Sequence, residues 1–353
     1  MLQKQLFRSC LLTLLCLALS SQGRVEAQRL TAHRGNLQNA YNYWFYEPGG
    51  QTGENAKPLV LFLHGASLCG RDLSKVRRYG TLDAINRGLK LDAFVLAPQN
   101  PGGTWNPKRI NRIVDWACDN YAIDSTRIYV IGMSLGGFGT LDYVAEYPQR
   151  VAAGMALCGG ATTQKFANLC QVPMAIMHGT NDRAVAWQQS RDVMQRMRSA
   201  GDTTRLVYRL LPKRTHGDLA RYFYLADTYQ WLFEHTLSDE GRPVNRDYYF
   251  GYDILDNVYR KMEKPDNPLT VVDAGTTDKA KRGKDKTPTA KSNAAAETTP
   301  TEDNATESGV HVVRKGDNLT RIAKRYNVTV RHLLQMNHLR EESVLQIGQK
   351  IKY

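Results

Sequence analysis

The sequence predicts an α/β fold with a doubly wound, mostly parallel sheet, followed by a small β-α-α-β unit at the C-terminus. Three observations lead to this prediction. Continuously apolar, strand-like runs alternate with helical patterns over most of the chain, a segment poor in large apolar residues begins near residue 263, and the tail has an apolar periodicity of its own. The 353 residues, 42% hydrophobic and 23% charged, are enough for one full core and a second, smaller domain.

Residues 1–27 are predicted to be a secretory signal peptide. A basic start with Lys4 and Arg8 precedes an apolar run from Leu11 to Leu19, and small residues precede a cleavage point after Ala27. The apolar run is shorter than the roughly 20 residues that a membrane-spanning helix needs, and no later segment is long enough. We therefore expect an exported protein without a membrane span, located in the periplasm or cell envelope or secreted.

The mature chain keeps four cysteines, Cys69, Cys118, Cys158 and Cys170. In an oxidising compartment they allow three disulfide pairings, and free buried thiols fit the sequence equally well. No two of them have the C-x-x-C spacing of zinc ligands, and we expect neither a metal nor a cofactor. The formal net charge of +13 favours an anionic partner, which for an exported protein is an envelope polymer rather than nucleic acid.

The large domain is predicted to span residues 28–262. Its predicted strands are mostly continuously apolar, as expected for a parallel sheet covered by helices on both faces: "PLVLFLHG" (58–65), "AFVLAP" (93–98), "RIYVIG" (127–132), "AAGMALCGG" (152–160), "PMAIMHG" (173–179) and "TRLVYRLLP" (204–212). Apolar residues at helical spacing predict helices in "NPKRINRIVDWACDNY", "WQQSRDVMQRMRSAG" and "LADTYQWLFEHTL". Repetition of strand and helix gives the doubly wound α/β class.

The stretch "IYVIGMSLGGFGTL" carries the first chemical signal. Ser134 stands between Gly132 and Gly136, directly after a buried strand, and matches the G-x-S-x-G pattern of a nucleophile elbow. Glycines allow the sharp turn and the close approach of the following helix to the strand. We interpret Ser134 as a nucleophile, whereas a plain glycine-rich turn with an incidental serine is the alternative.

A serine nucleophile needs a histidine base and an acid that orients it. After Ser134 the large domain contains three histidines: His178, which should shape a turn, His235, which falls in the last predicted helix, and His216, which follows the last strand. We therefore predict His216 as the base. Asp182, just beyond a strand end, is the predicted acid; Asp218 lies too close to His216 along the chain, and Asp202 precedes the last strand.

Acyl transfer also needs donors for the oxyanion, and main-chain amides are suitable because they are fixed before the reaction begins. The Leu135 amide follows the nucleophile directly, and the Ala66 amide lies in the turn "LHGASLCGRD" after an early strand. We predict these two amides as the oxyanion hole. "APQNPGGTWN" brings Trp105 and Asn106 toward the same rim as candidate substrate contacts.

Together, "GMSLGGFGTLDYVAEYP", "LHGASLCGRD", "APQNPGGTW", "ALCGG" and "MHGTNDRAV" resemble α/β-hydrolases of the predicted-peptidase and carboxylesterase type. These include polyhydroxybutyrate depolymerase-like proteins and feruloyl or acetylxylan esterases. The resemblance covers most of residues 40–238 and implies cofactor-free serine esterase chemistry through Ser134, Asp182 and His216. The sequence "ASLCG" departs from the glycines and acidic residue that often follow the His-Gly pair in such proteins.

Residues 263–308 are predicted to be a flexible linker, because they lack aromatic residues and are rich in Thr, Ala, Lys, Asp and Pro. Residues 309–353 follow with helical apolar faces around Ile322 and Leu333, and short strands at "VHVV" and "KIKY" should flank the two helices. This tail resembles a LysM module, which implies binding of peptidoglycan or another N-acetylglucosamine-containing glycan. The resemblance implies a sugar groove that uses Gly316, Asp317, Asn318, Leu319, Thr320 and Ile347.

The sequence therefore predicts an exported serine hydrolase that acts on a carboxylic ester and is tethered to the cell wall, with an acylated polysaccharide as a candidate substrate. A serine peptidase of the same fold is one alternative, because the same triad cleaves amides and esters. The other is a wall-binding protein with an inactive hydrolase domain.

Overall fold

A computed structural model gives the fold of the chain. It describes residues 25–51, 56–251, 254–263, 269–273, 309–314, 317, 319–326, 328, 333–334, 336–337, 339 and 345–353. The predicted signal peptide lies outside these residues except for its last positions, and so does most of the predicted linker. The chain divides into two compact units, which are taken one at a time below.

The strands of the described chain are β1 (Val25–Glu26), β2 (Arg29–His33), β3 (Asn42–Glu47), β4 (Gly50–Gln51), β5 (Lys57–Leu63), β6 (Phe94–Gln99), β7 (Ile123–Met133), β8 (Ala153–Leu157), β9 (Met174–Gly179), β10 (Leu206–Leu211), β11 (Thr270–Asp273), β12 (Val310–Val312) and β13 (Lys350–Lys352). The α-helices are α1 (Thr81–Asn86), α2 (Pro107–Asn120), α3 (Leu135–Glu146), α4 (Phe166–Leu169), α5 (Gln188–Ala200), α6 (His216–Leu219), α7 (Ala226–Phe233) and α8 (Leu319–Arg325). Short 3₁₀ helices cover Ala66–Leu68, Leu73–Arg77, Ala220–Tyr224 and Leu255–Lys261.

One large sheet organises the first unit, with strand order β10-β9-β8-β7-β5-β6-β3-β2-β11. From β10 to β6 all neighbouring strands are parallel, β3 is antiparallel to both β6 and β2, and β11 is parallel to β2. The order reverses at β5, which lies between β7 and β6. This confirms the predicted doubly wound, mostly parallel α/β fold, in which parallel strands need helical crossovers between them.

The central strands are buried along their length, which explains their unbroken apolar sequence. All five residues of β8 and all six of β9 are buried, and Val60 and Ile131 have no exposed surface. Helices cover both faces of a parallel sheet, so neither side of these strands meets water. Large aromatic side chains, including Trp231 and Tyr129, complete the core.

Two regions differ from the sequence prediction. The strands β2 and β3, at one side of the sheet, were not predicted, because their aromatic and polar residues do not form a continuous apolar run. Residues Thr270–Asp273, predicted to be part of the linker, form β11 and pair with Arg29–Ala32. The linker prediction is therefore wrong for this segment: backbone hydrogen bonds to an open sheet edge order a strand that composition alone does not reveal.

The second unit contains β12 and β13, paired antiparallel, and helix α8. Its small core consists of Val313, Ile322, Ala323, Leu333 and Ile351, with Tyr353 stacked on Tyr326 at a ring-centroid distance of 3.5 Å. The strands at both ends and the helix starting at Leu319 agree with the predicted pattern. None of the helices in the described part of the chain has the length and hydropathy needed to span a bilayer.

Of the four cysteines that the sequence left open, Cys69, Cys158 and Cys170 are free thiols in the structure. Cys158 and Cys170 are buried, while Cys69 and Cys118 are half-buried.

Candidate active site

Ser134 lies on a sharp corner between β7 and α3. Its backbone has φ 58° and ψ −124°, a region that non-glycine residues rarely adopt and that marks functional turns. The corner is held by hydrogen bonds from the Ser134 amide to the Leu157 carbonyl (2.8 Å) and from the Phe138 amide to the Ser134 carbonyl (3.0 Å). The turn therefore holds the serine at the carboxyl end of the sheet.

The two glycines of the motif permit this corner. A Cβ on Gly136 would overlap the Leu63 carbonyl group of β5, and a Cβ on Gly132 would overlap the Gly136 backbone. Only glycine therefore fits where α3 crosses the end of the sheet.

The predicted acid and base follow the strands on one side of β7. Cys158 comes directly after β8, Asp182 three residues after β9, and His216 five residues after β10. Because β7, β8, β9 and β10 are consecutive parallel neighbours, these residues and Ser134 share one edge of the sheet.

Asp182 and His216 are directly hydrogen-bonded. His216 Nδ1 lies 2.6 Å from Asp182 Oδ2, so Nδ1 is the donor to the carboxylate, and in the neutral ring Nε2 is the acceptor nitrogen. The Asp182 side chain has no exposed surface, whereas that of His216 is 24% exposed. This is the geometry of a base oriented by a buried acid, with one side of the imidazole accessible to solvent.

Asp182 accepts several hydrogen bonds, which keep it ionised. Its Oδ1 accepts from the amides of Ala184 (2.8 Å) and Val185 (2.9 Å). Burial by itself would raise the pKa of Asp182, but the Val185 amide, His216 and the Ala184 amide outweigh burial and lower the pKa below its usual value. The carboxylate therefore remains charged and fixed in orientation.

His178 supports Asp182 from the other side, in agreement with the turn-shaping role predicted from sequence. Its ring is fully buried, and Nε2 lies 3.0 Å from the Val185 carbonyl oxygen and 3.2 Å from Asp182 Oδ2. Because two oxygen acceptors face Nε2, the proton of the neutral ring lies on that nitrogen. Burial lowers the pKa of His178, and Nδ1 lies 3.0 Å from Ser190 Oγ.

The sequence analysis did not predict that Cys158 belongs to this cluster. It has a positive φ of 48°, and its thiol donates a hydrogen bond to Asp182. Burial and the Asp182 charge raise the pKa of the Cys158 thiol well above its usual value. The sequence signal that was available is its position directly after β8, the strand beside the nucleophile strand.

Ligand atoms of Cys158, Asp182 and His216 lie within 4.8 Å of one another, close enough to hold a metal ion. The hydrogen bonds already described account for this proximity, since His216 Nδ1 and the Cys158 thiol both donate to Asp182.

Asp218 and Asp202, the two other acids considered, have structural roles. Asp218 Oδ2 accepts from the amide and hydroxyl of Thr215, both at 2.8 Å, and so caps the short helix α6 that begins at His216. Asp202 Oδ1 accepts from the Thr204 amide at 2.8 Å, before β10 and thus at the opposite end of the sheet.

Ala66 and Leu135 lie in two turns that face the nucleophile. Ala66 begins a 3₁₀ turn after β5, and Leu135 begins α3. A Cβ on Gly65 would lie 3.5 Å from the Ser134 Cβ, so this turn is in close contact with the nucleophile. In the described part of the chain, neither the Ala66 nor the Leu135 amide donates to a protein acceptor.

The buried His64 ring supports this turn. The ring is fully buried, Nδ1 lies 2.8 Å from the Gly65 carbonyl oxygen, and Nε2 accepts from the Asn100 amide at 3.0 Å. Burial lowers the pKa of His64 to about 4, so the ring is neutral and has one donor and one acceptor nitrogen. It connects the loops that follow β5 and β6.

Trp105 and Asn106 were predicted as substrate contacts, and for Trp105 the structure contradicts that prediction. Trp105 is only 4% exposed and packs edge-to-face with Tyr41 and His64, because a turn that follows an apolar strand closes over the core. Asn106 is exposed, and its Oδ1 accepts from the Arg109 amide at 3.1 Å at the start of α2.

Among the residues predicted to bind glycan, Asp317, Leu319 and Ile347 are described. Asp317 turns inward: its Oδ2 lies 2.6 Å from His311 Nε2 and accepts from the Arg314 amide at 2.8 Å. Leu319 packs against the small core, whereas Ile347 is 72% exposed. Gly316, Asn318 and the side chain of Thr320 lie outside the described residues. Of these three described residues, Ile347 is the one that exposes an apolar side chain to a ligand.

Two segments of the chain match known families. Residues 58–206 match the α/β hydrolase fold, and residues 311–352 match the LysM domain. The chain therefore contains a domain of the α/β hydrolase fold. It carries a LysM domain at its C-terminal end.

Individual relatives and solved structures are similar to parts of this chain. Poly(3-hydroxyalkanoate) depolymerase C of Paucimonas lemoignei is 27% identical over 209 residues, 53% of this chain and 46% of the relative. Acetylxylan esterase A of Emericella nidulans is 42% identical over 60 residues, 17% of this chain and 19% of the relative. A crystal structure of a thermostable esterase has 26% identity and a TM-score of 0.49, covering 55% of this chain and 59% of the other. The chain spans less than half the length of the curated relatives it matches.

Proposed function

We propose that this protein is a serine hydrolase that cleaves a carboxylic ester through an acyl-enzyme intermediate. The observation that carries the proposal is the 2.6 Å hydrogen bond between His216 and the buried Asp182, at the sheet edge where Ser134 occupies a strained turn. A serine, an oriented histidine and an ionised aspartate are the groups that this chemistry needs.

In the proposed reaction, Ser134 Oγ attacks the ester carbonyl while His216 Nε2 takes the hydroxyl proton. Asp182 stabilises the imidazolium that forms. The amides of Ala66 and Leu135 donate hydrogen bonds to the oxyanion, after which His216 returns its proton to the leaving alcohol. A water molecule, deprotonated by His216, then attacks the acyl group and releases Ser134.

We favour an ester over an amide as substrate because similar proteins are named as acetylxylan esterases and a poly(3-hydroxyalkanoate) depolymerase. Acetylxylan esterase A acts, by its name, on an acylated polysaccharide. We propose a substrate of that class, an acyl ester carried by a polysaccharide, for this chain.

The LysM domain supports a location at a cell wall. We propose that it binds peptidoglycan or another N-acetylglucosamine-containing glycan, and that the protein is exported after cleavage of residues 1–27. In the proposed division, residues 28–273, which include β11, form the hydrolase domain. Residues 274–308 form the linker, and residues 309–353 form the LysM domain.

The direct test is hydrolysis of p-nitrophenyl esters of increasing acyl length by the full-length protein, with Ser134→Ala as the matched control. We expect turnover by the wild type and a loss of at least about 1,000-fold in the variant. A fluorophosphonate probe should label the wild type and not Ser134→Ala. Equal turnover by both proteins would contradict the assignment of Ser134.

The same assay separates the alternatives. Faster cleavage of peptide amides than of esters would identify a peptidase. A wild type that neither turns over esters or amides nor reacts with the probe would identify a wall-binding protein with an inactive hydrolase domain.

A further inference from the structure

The Tyr79 hydroxyl contacts the turn that carries Ala66, one of the two proposed oxyanion donors. The Gly65 amide donates a hydrogen bond to Tyr79 Oη at 3.0 Å. A Cβ on Gly65 would lie 2.7 Å from Tyr79 Oη and 3.5 Å from the Ser134 Cβ. The phenol oxygen and the nucleophile are thus on the same side of Gly65, next to Ala66.

The hydroxyl proton of Tyr79 is available for an incoming oxygen. Burial raises the pKa of Tyr79, and hydrogen bonds with the Ser67 side chain and the Gly65 amide oppose this effect. Tyr79 therefore stays protonated at neutral pH. Since the Gly65 amide donates to the phenol oxygen, the phenol proton is not used in that bond and can be donated to another group.

The segment that carries Tyr79 is held rigidly. Gly80 follows with φ 91°, and a Cβ there would overlap the Phe62 ring, so the chain is packed tightly onto the core. The Gly80 amide donates to Tyr224 Oη at 3.3 Å, and Tyr224 in turn donates to Asp83 at 2.7 Å. A donor fixed in this way needs no reorganisation during a reaction, which is the condition for strong stabilisation of a developing charge.

We propose that the Tyr79 hydroxyl is a third oxyanion donor, beside the Ala66 and Leu135 amides. This inference rests on the proposed function. During attack by Ser134 the carbonyl oxygen gains negative charge, and the Tyr79 O–H donates a hydrogen bond to it without transferring its proton. The sequence analysis did not find Tyr79, because a lone tyrosine in "RRYG" carries no motif.

The test compares Tyr79→Phe with Tyr129→Phe in the full-length protein. Tyr129 is a matched control because it also loses one hydroxyl, which donates to the His235 carbonyl oxygen at 2.7 Å, yet it lies on β7 five residues before Ser134. For p-nitrophenyl acetate we expect Tyr79→Phe to lower kcat about 10- to 100-fold with little change in KM. Tyr129→Phe should keep kcat within about twofold.

A thionoester substrate separates a catalytic role from a structural one. Its sulfur is a weak hydrogen-bond acceptor, so loss of an oxyanion donor should slow the oxygen ester more than the thionoester. A variant that is merely distorted would slow both equally. We therefore expect the ratio of oxygen-ester to thionoester rates to fall in Tyr79→Phe and to stay at the wild-type value in Tyr129→Phe.

Replacement of Tyr79 by 3,5-difluorotyrosine keeps the shape of the side chain if Tyr79→Phe does not fold. This phenol is more acidic, so it should lose its proton and the activity at a pH where the wild type remains active. An unchanged pH profile, or an unchanged rate ratio in folded Tyr79→Phe, would overturn the inference. A wild type without turnover or probe labelling would instead show that the proposed function itself is wrong, and this inference with it.

Discussion

At the scale of single residues, the most constrained side chain of the site is Asp182. It is fully buried, and donors from Ala184, Val185, His178 and His216 approach its two oxygens at 2.6–3.2 Å. Burial of a charge is unfavourable unless hydrogen bonds compensate for it. The arrangement therefore makes sense for a group that must stay ionised and hold one imidazole in one orientation.

The three aspartates considered as the acid provide a comparison within one protein. Asp182→Asn should lower kcat for an ester by about 1,000- to 10,000-fold, because the amide favours the wrong histidine tautomer. Asp218→Asn weakens the cap of helix α6 and the ion pair with Arg221, and Asp202→Asn acts at the far end of the sheet, so both should keep kcat within about tenfold. Steady-state kinetics of the three folded variants checks this order, and a larger loss in Asp218→Asn than in Asp182→Asn would refute it.

The pH dependence of stability should reflect the buried neutral histidines. Burial lowers the pKa of His33, His64 and His235 to about 4, below the usual histidine value of 6.5. Between these values the unfolded chain binds protons that the folded chain excludes, so stability falls as the pH decreases. The slope is about 1.4 kcal/mol per pH unit for each such histidine.

Urea denaturation at several pH values between 4 and 7 measures this slope. The variant His64→Gln, compared with the wild type, should be less stable at pH 7 but should lose stability less steeply on acidification. Parallel curves for the two proteins would contradict the assignment of a buried neutral ring to His64.

At the scale of elements, the contact between α3 and the end of β5 determines where the nucleophile lies. The helix begins at Leu135, directly after the strained turn, and approaches the Leu63 carbonyl so closely that only glycine fits at position 136. Helix α6 is positioned differently: the Thr215 and Asp218 side chains form a capping box, and the helix starts with His216 itself. Ser134 and His216 are therefore both positioned at the start of a helix.

Gly136→Ala should destabilise the protein by at least about 2 kcal/mol, because the added methyl group overlaps fixed backbone atoms. Gly217→Ala, in the helix α6, is the control: nothing lies within 4 Å of a Cβ there, and the effect should stay within about 1 kcal/mol. Free energies of unfolding from urea titration measure both effects. A similar free energy of unfolding for the two variants would show that the contact of α3 with β5 is not rigid.

At the scale of the whole molecule, the chain combines two compact units with separate cores. The small core of the second unit contains buried Leu333 and Ile351, while Ile347 exposes most of its side chain on a turn. Because a single exposed apolar side chain is ordinary on a protein surface, the glycan role proposed for Ile347 rests on the resemblance of this segment to LysM domains. The proposed division of labour assigns glycan binding to this unit and ester cleavage to the other.

Ile347→Ala should weaken co-sedimentation of the full-length protein with insoluble peptidoglycan and leave turnover of p-nitrophenyl acetate unchanged. Val310→Ala is a suitable control, since Val310 is also exposed (53%) and belongs to the same unit. Binding should persist when salt is raised, because sugar contacts are not screened as surface charges are. Equal binding by the two variants would exclude Ile347 from the glycan surface.

The fold class and the residues at the strand ends could be predicted from the sequence alone. Continuous apolar runs identify strands buried on both faces, and the glycines around Ser134 identify the turn, because both signals are local. His216 and Asp182 could be selected from the order of residues along the chain, since parallel strands bring their carboxyl ends to one edge. The edge strands β2, β3 and β11 could not be predicted in this way, because pairing at a sheet edge depends on a partner distant in sequence.

The contacts between groups at the site could be recognised only in the tertiary structure. Cys158 and His178 contact Asp182 through neighbouring strands, and Tyr79 reaches Gly65 from a separate turn. The same long-range packing buries Trp105, which local sequence suggested for the rim. Hydrogen bonds and burial depend on distances between residues far apart in the chain, and a single sequence records the residue types but not those distances.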